Sequence, residues 1–370
     1  MKKAVFLFLY LLSGVIHAQD TLRLSLLFTG DIMQHDSQIA AALIPETGRY
    51  NYHPCFEFIK PVLSAPDLTI GNLELTFGGP PFKGYPQFSA PDELAATLKE
   101  GGFDVLVTAN NHCVDRGRYG LERTIDMLDS AGILHTGTFK DTLDWLNNNP
   151  LILEAKGFRL SLLNYTYGTN EIAVDPVNRV SRIDTSVIKR DLKLAAGKQV
   201  DAIIVFMHWG QEYQPSPNGW QKSIAGFCLR HGAKMVIGSH PHVLQPMEWN
   251  IEKDQLVAYS LGNFVSGQRD RYRNGGALLH VDLEKIIRQD QPVTARIRDV
   301  AYSLEWVYRT TDVHRTYRIL PVSQFENDTT FLRGQQTARE LLIQFRDDAR
   351  ALLGKENQNV REKVSALKKE

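Results

Sequence analysis

Thirteen residues, Val105–Gly117 (VLVTANNHCVDRG), constrain this chain more than any other stretch. An apolar β-type run stops abruptly at Asn110, Asn111 and His112, with Asp115 and Gly117 close behind. An α/β protein presents polar groups in this way at the carboxyl edge of a strand, and ligands bind at that edge. The pattern recurs along the chain. Thr21–Thr29 runs into Gly30-Asp31, and Asp67–Ile70 into Gly71-Asn72-Leu73-Glu74. Ala202–Met207 runs into His208, and Lys234–Ile237 into Gly238-Ser239-His240-Pro241-His242.

Between these strands the punctuation is helical. Helices are expected around Ser37–Ile44 and Phe56–Leu63, from Pro91-Asp92-Glu93 to Gly101-Gly102, and over Tyr119–Ala131, Ile183–Ala196 and Trp220–His231. Pro and acidic residues open the third of these at its positive end, and glycine closes it. Strands alternating with helices indicate an α/β fold. Ile133–Thr136, Leu151–Glu154, Phe158–Asn164 and Gln255–Ser260 read as further strands, and Ala277–Leu283 and Val293–Leu304 as antiparallel ones, which predicts a second, partly antiparallel layer. The Gly- and Pro-rich stretch Phe77–Pro91 is long for a connector and reads as a functional excursion. One domain over residues 20–322 is expected, followed by a charged helical tail over 323–370 whose apolar content is mainly Leu341, Leu342, Phe345, Leu352 and Leu353.

The five polar strand ends offer two carboxylates, an amide oxygen and at least three imidazoles. Such a mixed oxygen and nitrogen set suits borderline divalent ions such as zinc, manganese or iron. The set lacks thiolates, as a hydrolytic site does more often than a structural one. Each residue also has a plainer explanation. Asp31 could cap a helix, Asn111 could close a turn, and His208 could be a satisfied core histidine. The conjunction favours a metal site, and His240-Pro241-His242, which projects two imidazoles from one stiff turn, favours it most. His35, His53, His135, His231, His280 and His314 lack partners at ligand spacing and are assigned no function.

The ends and the composition narrow the setting. Residues 1–18 read as a cleaved secretory signal, with Lys2 and Lys3 ahead of the apolar Ala4–Ile16 and a small residue at Ala18. An uncleaved anchor would need an apolar run of about 20 residues, longer than this one. The chain carries 42 basic and 42 acidic residues, a balance that gives no indication of nucleic acid as a partner. Three cysteines, Cys55, Cys113 and Cys228, allow at most one bridge, and the sequence leaves its partners open. Cys113, beside His112, reads as a small buried filler rather than a nucleophile.

The motifs GDIM, GNLE, ANNHCVDRG, HWGQEY, GSHPH and YSLGNF, in this order over Leu22–Leu283, resemble the bacterial capsule-synthesis CapA family. That family is associated with poly-γ-glutamate capsule production and is related to calcineurin-like metallophosphoesterases. The resemblance implies a four-layer α/β-β/α metallophosphatase-like sandwich with mixed sheets. It implies Asp31, Glu74, Asn111, His208, His240 and His242 as metal ligands, for one or two ions of manganese, zinc or iron. It also places His112 as the residue that contacts substrate or protonates a leaving group, with Asp115 either holding its tautomer or merely shaping the loop. Met33, Asn72 and Ser239 depart from the phosphoesterase pattern of Asp-x-His, a bridging Asp and Gly-His-x-His. The expected function is that of an exported, metal-dependent hydrolase or transferase of capsule or poly-γ-glutamate biosynthesis. A secreted phosphoesterase without a capsule role and a non-catalytic partner of a membrane polymer synthase are the alternatives.

Two features flank the motifs. Arg269, Arg271 and Arg273 follow SLGNF in a loop expected to overhang the same edge, where they could grip an anionic polymer or a phosphoester. A solvated loop beside Asp270 explains them equally well. Trp209 and Tyr213, beside His208, are expected either to wall the pocket or simply to pack.

Overall fold

A computed structural model describes residues 20–287, 294–310 and 315–363; the signal expected over 1–18 lies outside them, as does His314. In chain order the first sheet-forming strands are β1 (Asp20–Ile32), β2 (Leu68–Leu73), β3 (Val105–Val107), β4 (Leu134–Thr136), β5 (Leu151–Ala155), β6 (Phe158–Thr166) and β7 (Ala202–His208). They continue as β8 (Met235–Ser239), β9 (Leu244–Asn250), β10 (Gln255–Leu261), β11 (Asn263–Val265), β12 (Gly275–Ile287), β13 (Thr294–Arg309), β14 (Tyr317–Pro321) and β15 (Arg361–Glu362). One sheet runs β14-β13-β12-β1-β2-β3-β4, with β11 on β1 and β15 on β13; the other runs β9-β10-β8-β7-β6-β5.

Each sheet has a parallel centre and antiparallel flanks. In the first, β1 to β4 pair in parallel, while β12, β13 and β14 continue it antiparallel. In the second, β6, β7, β8 and β10 are parallel, and β5 and β9 are antiparallel edges. Period-2 alternation decides which side chains meet. Leu24, Leu26, Phe28, Ile70, Val105 and Val107 of the first sheet share one buried cluster with Leu160, Leu162, Ile204, Phe206 and Ile237 of the second. The intervening residues, such as Leu27 and Leu106, pack outward with helix α1 (Asp36–Ala42) and helix α2 (Glu93–Gly101). Ile203, Val205 and Met207 pack outward with helices α4 (Thr185–Gly197) and α5 (Gly219–Arg230). Helix α3 (Gly117–Ala131) follows the loop after β3. Strands with both faces buried must be apolar throughout, as β7 is until His208. The expected α/β architecture of four layers is the one observed.

The C-terminal segment read as a charged tail contains α6 (Gln336–Glu356), whose Leu342, Phe345, Ala349 and Leu353 are buried in the inter-sheet cluster. Their i, i+3, i+4 spacing gives one apolar stripe on an otherwise charged helix. The chain then adds β15 to β13. Strand β9, not foreseen from the sequence, forms a hairpin with β10, and the helix expected over Phe56–Leu63 is two short helices, His53–Phe56 and Lys60–Leu63.

Candidate metal centre

The alternation that buries the apolar residues also aims the polar ones. Asn72 and Glu74 continue the inward parity of Ile70, His208 that of Ile204 and Phe206, and Ser239 that of Ile237. These side chains converge where the carboxyl ends of the two sheets meet. Close backbone approach allows it. A Cβ on Gly30 would stand 1.9 Å from the carbonyl oxygen of Gly262, and one on Gly238 2.0 Å from that of Tyr259. Only glycine fits there.

Asp31 anchors the cluster. Its Oδ1 accepts from Asn72 Nδ2 at 2.8 Å, and its Oδ2 accepts from the backbone N–H of His240 at 3.2 Å. His242 Nδ1 lies 3.1 Å from Asp31 Oδ2 and 3.0 Å from Asn263 Oδ1. Asn263 Nδ2 donates to Gln268 Oε1 and to the Arg273 carbonyl, so its Oδ1 is an acceptor. Both neighbours of His242 Nδ1 therefore accept, which puts its proton on Nδ1 and leaves the Nε2 lone pair facing Glu74 Oε1 at 3.6 Å. His208 Nε2 lies 2.7 Å from Asn111 Oδ1 and 3.6 Å from Glu74 Oε1. On its other nitrogen, Ser239 Oγ is 3.1 Å away and Asn72 Nδ2 3.3 Å.

Ligand atoms of Glu74, His240 and His242 lie within 4.8 Å of one another, and so do those of Asp31, Glu74 and His208. Glu74 belongs to both groups. Its two carboxylate oxygens are buried without any hydrogen-bond partner, and His240 Nδ1 is in the same state. A buried, unpaired carboxylate is costly unless a cation or proton meets it. A divalent ion fits that demand and this donor set. The electrostatics agree. Burial first, then the neighbouring Asp31, holds the Glu74 carboxyl well above its ordinary range. Burial and the surrounding imidazoles hold His208 and His240 well below theirs, so both rings stay neutral, the form that ligates. All six residues expected as ligands are brought together.

Beside this cluster, His112 Nδ1 pairs with Asp115 Oδ2 at 2.7 Å, and the same oxygen accepts from the backbone N–H of Phe88 at 2.7 Å. Asp115 thus fixes the Nδ1–H tautomer and leaves His112 Nε2 free. Asn110 orders the loop: its Oδ1 accepts from the His112 N–H at 3.0 Å and its Nδ2 donates to the Leu73 carbonyl at 2.6 Å. The Phe77–Pro91 excursion supplies the cover, with the Phe88 ring edge-on to His112 at 4.6 Å and Tyr85 at 6.4 Å.

The arginines part company. Arg269 is turned inward, donating to the Val307 carbonyl and lying over the Tyr317 ring. Arg271 binds Asp348 on α6. Arg273 pairs with Asp270 and places its guanidinium 4.2 Å over the ring of Tyr213, which in turn lies 6.1 Å from His242. Of the three, Arg273 approaches the cluster. Trp209 is core, its indole donating to the Tyr259 carbonyl, so it packs rather than walls the pocket. All three cysteines are buried free thiols, and burial pushes Cys113 up to about 12, which suits a filler and not a nucleophile. Two participants carried no signal strong enough to find. Asn263 lies inside a recognised motif but offers no ligand-type spacing, and Tyr167, its ring stacked on His208 at 6.2 Å and tilted against His240 at 4.6 Å, is an unremarkable aromatic after β6.

A two-sheet α/β protein with a buried carboxylate and imidazole cluster across its strand ends is the class these observations define. Residues 25–268 match the family described as bacterial capsule synthesis protein PGA_cap, and the chain belongs to that family. It is 30% identical over 262 residues to the capsule biosynthesis protein CapA of Bacillus anthracis, an alignment covering 66% of this chain and 60% of that protein. It is 30% identical over 277 residues to the PGA biosynthesis protein CapA of Bacillus subtilis, covering 71% of this chain and 68% of that one. Among solved structures it is similar to the calcineurin-like phosphoesterase YfkN from Bacillus subtilis, with a TM-score of 0.49 and 15% identity, over 88% of this chain and 100% of that chain.

Proposed function

We propose that the protein is an exported, metal-dependent hydrolase or transferase of capsule or poly-γ-glutamate biosynthesis, acting on an anionic substrate of the phosphoester type. The observation that carries this reading is Glu74, shared by two ligand groups and buried with neither oxygen bonded. The oxygen and nitrogen donors suit manganese, zinc or iron, as one ion or two. When bound, such an ion supplies Lewis acidity and lowers the pKa of a coordinated water. The chain's own residues do the rest. His112 carries a proton on or off through Nε2, and Asp115 holds its ring in the tautomer that permits this. Arg273 is the cation positioned to meet an anionic group beside His242. Export rests on the signal-like residues 1–18, and a membrane polymer synthase is the partner that a capsule role supplies. No helix among the described residues is long and apolar enough to cross a membrane.

Metal analysis of purified protein tests the reading. Wild type should retain a divalent ion through dialysis and hydrolyse phosphoesters, and His240→Ala/His242→Ala should do neither. A wild type that binds no divalent ion with useful affinity sinks the catalytic assignment.

A further inference from the structure

A cavity of about 340 Å³, a size within the range of small-molecule sites, is lined by Val243 and Leu244, next along the chain from His242, and by Tyr213, but by none of the six expected ligands themselves. One wall is Tyr213, the ring that packs against His242 and carries Arg273 on its face. The backbone joins the two places directly, because Val243 and Leu244, which line the cavity, follow the ligand His242, and the Tyr213 N–H donates to the Pro241 carbonyl at 2.8 Å. The opposite wall is α6, through Phe345 and Leu352, and Tyr272 closes a side. The charged residue in this lining, Asp348, has both oxygens taken up by Arg271 at 2.7 Å each. What remains facing the space is apolar or aromatic.

We infer that this cavity is the subsite for the apolar group of an amphipathic phosphoester, whose anionic end lies toward His242 and Arg273. The inference rests on the metal-dependent reading above and adds the substrate class to it. An anionic polymer alone would leave the cavity without a matching group, whereas an alkyl or aromatic ester fills it and gains the free energy of leaving water. Half of the lining comes from α6, beyond the residues 25–268 that define the family match. The apolar preference thus belongs to this chain's C-terminal segment.

Calorimetric titration of manganese-loaded protein with hexyl phosphate and with inorganic phosphate tests the assignment. Hexyl phosphate should bind wild type about tenfold more tightly or better, given the methylenes it can bury. Ala351→Trp, at an exposed rim position of the cavity, should bring the ratio of the two affinities toward one. The ratio is insensitive to a partly misfolded sample, because both ligands are measured on the same folded fraction. Equal affinities in wild type, or a ratio untouched by Ala351→Trp, overturn the subsite while leaving the phosphate reading standing. Binding of neither ligand by protein that holds manganese overturns both.

Discussion

The two sheets make unlike contributions to one site. The first delivers carboxylates and amides, Asp31, Asn72 and Glu74, with Asn111 and His112 from the loop after β3. The second delivers the imidazoles of His208, His240 and His242. The first holds a carboxylate that resists ionising and the second holds rings that resist protonation. Neither half alone assembles a three-residue ligand group that mixes charge and imidazole. The contrast teaches that the site depends on how the sheets are seated on each other, a seating enforced by their shared apolar core. If the cluster holds a metal as proposed, its affinity should therefore also report on sheet packing.

The sharpest way to break the comparison is Glu74→Gln. Loss of the proposed ligand common to both groups should weaken metal binding by more than about 100-fold, exceeding the usual effect of an outer partner. The same change should raise the melting temperature of metal-free protein, since it removes a buried carboxylate that nothing satisfies. Calorimetry with and without metal reads both, and parallel movement of affinity and stability would refute the assignment. His112→Ala comes next. It should cut turnover by roughly 10²- to 10⁴-fold, the usual worth of a general acid or base, with metal content kept; a variant that turns over normally leaves His112 without its role.

Ser239→Ala should be milder. Ser239 Oγ is 3.1 Å from His208 Nδ1 and itself donates to the Met207 carbonyl at 3.2 Å, so with an ion at Nε2 in place of the Asn111 contact it would accept from the ring's Nδ1–H and hold that tautomer. Removing it should cost about 10- to 100-fold in metal affinity, measured by competition with a chelator. The smallest effect is on stability against pH without metal. His208 and His240 have lowered folded-state values, so the unfolded chain takes up more protons, and stability falls as pH drops below about 6.5. Glu74 has a raised value and works the other way, folding with a proton bound and gaining stability as pH falls toward about 4.5. Denaturant midpoints should therefore fall more steeply on acidification in Glu74→Gln than in wild type. Identical slopes would mean that Glu74 is solvated after all.

Much of this was legible in the sequence because the determinants are local. A strand that ends in Asn110-Asn111-His112 carries the proposed ligand and the proposed proton carrier within a few residues, and the parity of β2 and β7 already assigns Asn72, Glu74 and His208 to one face. What stayed hidden is non-local. Asn263 matters because its amide meets His242 across the chain. Arg269 and Arg271 look alike in sequence, yet one turns into the core and the other binds a helix more than seventy residues away. The apolar stripe of α6 could be read from spacing, but its place against strands of both sheets could not.

His240 and His242 stand at φ of 94° and 57°, in the left-handed region that side chains other than glycine enter at a cost. The tripeptide His-Pro-His is thus a place where folding and chemistry pull against each other. Glycine at either position would relax the turn and strip away a proposed ligand in one step. A variant library screened for heat resistance alone should drift toward that exchange, and one screened for retained metal should hold the histidines.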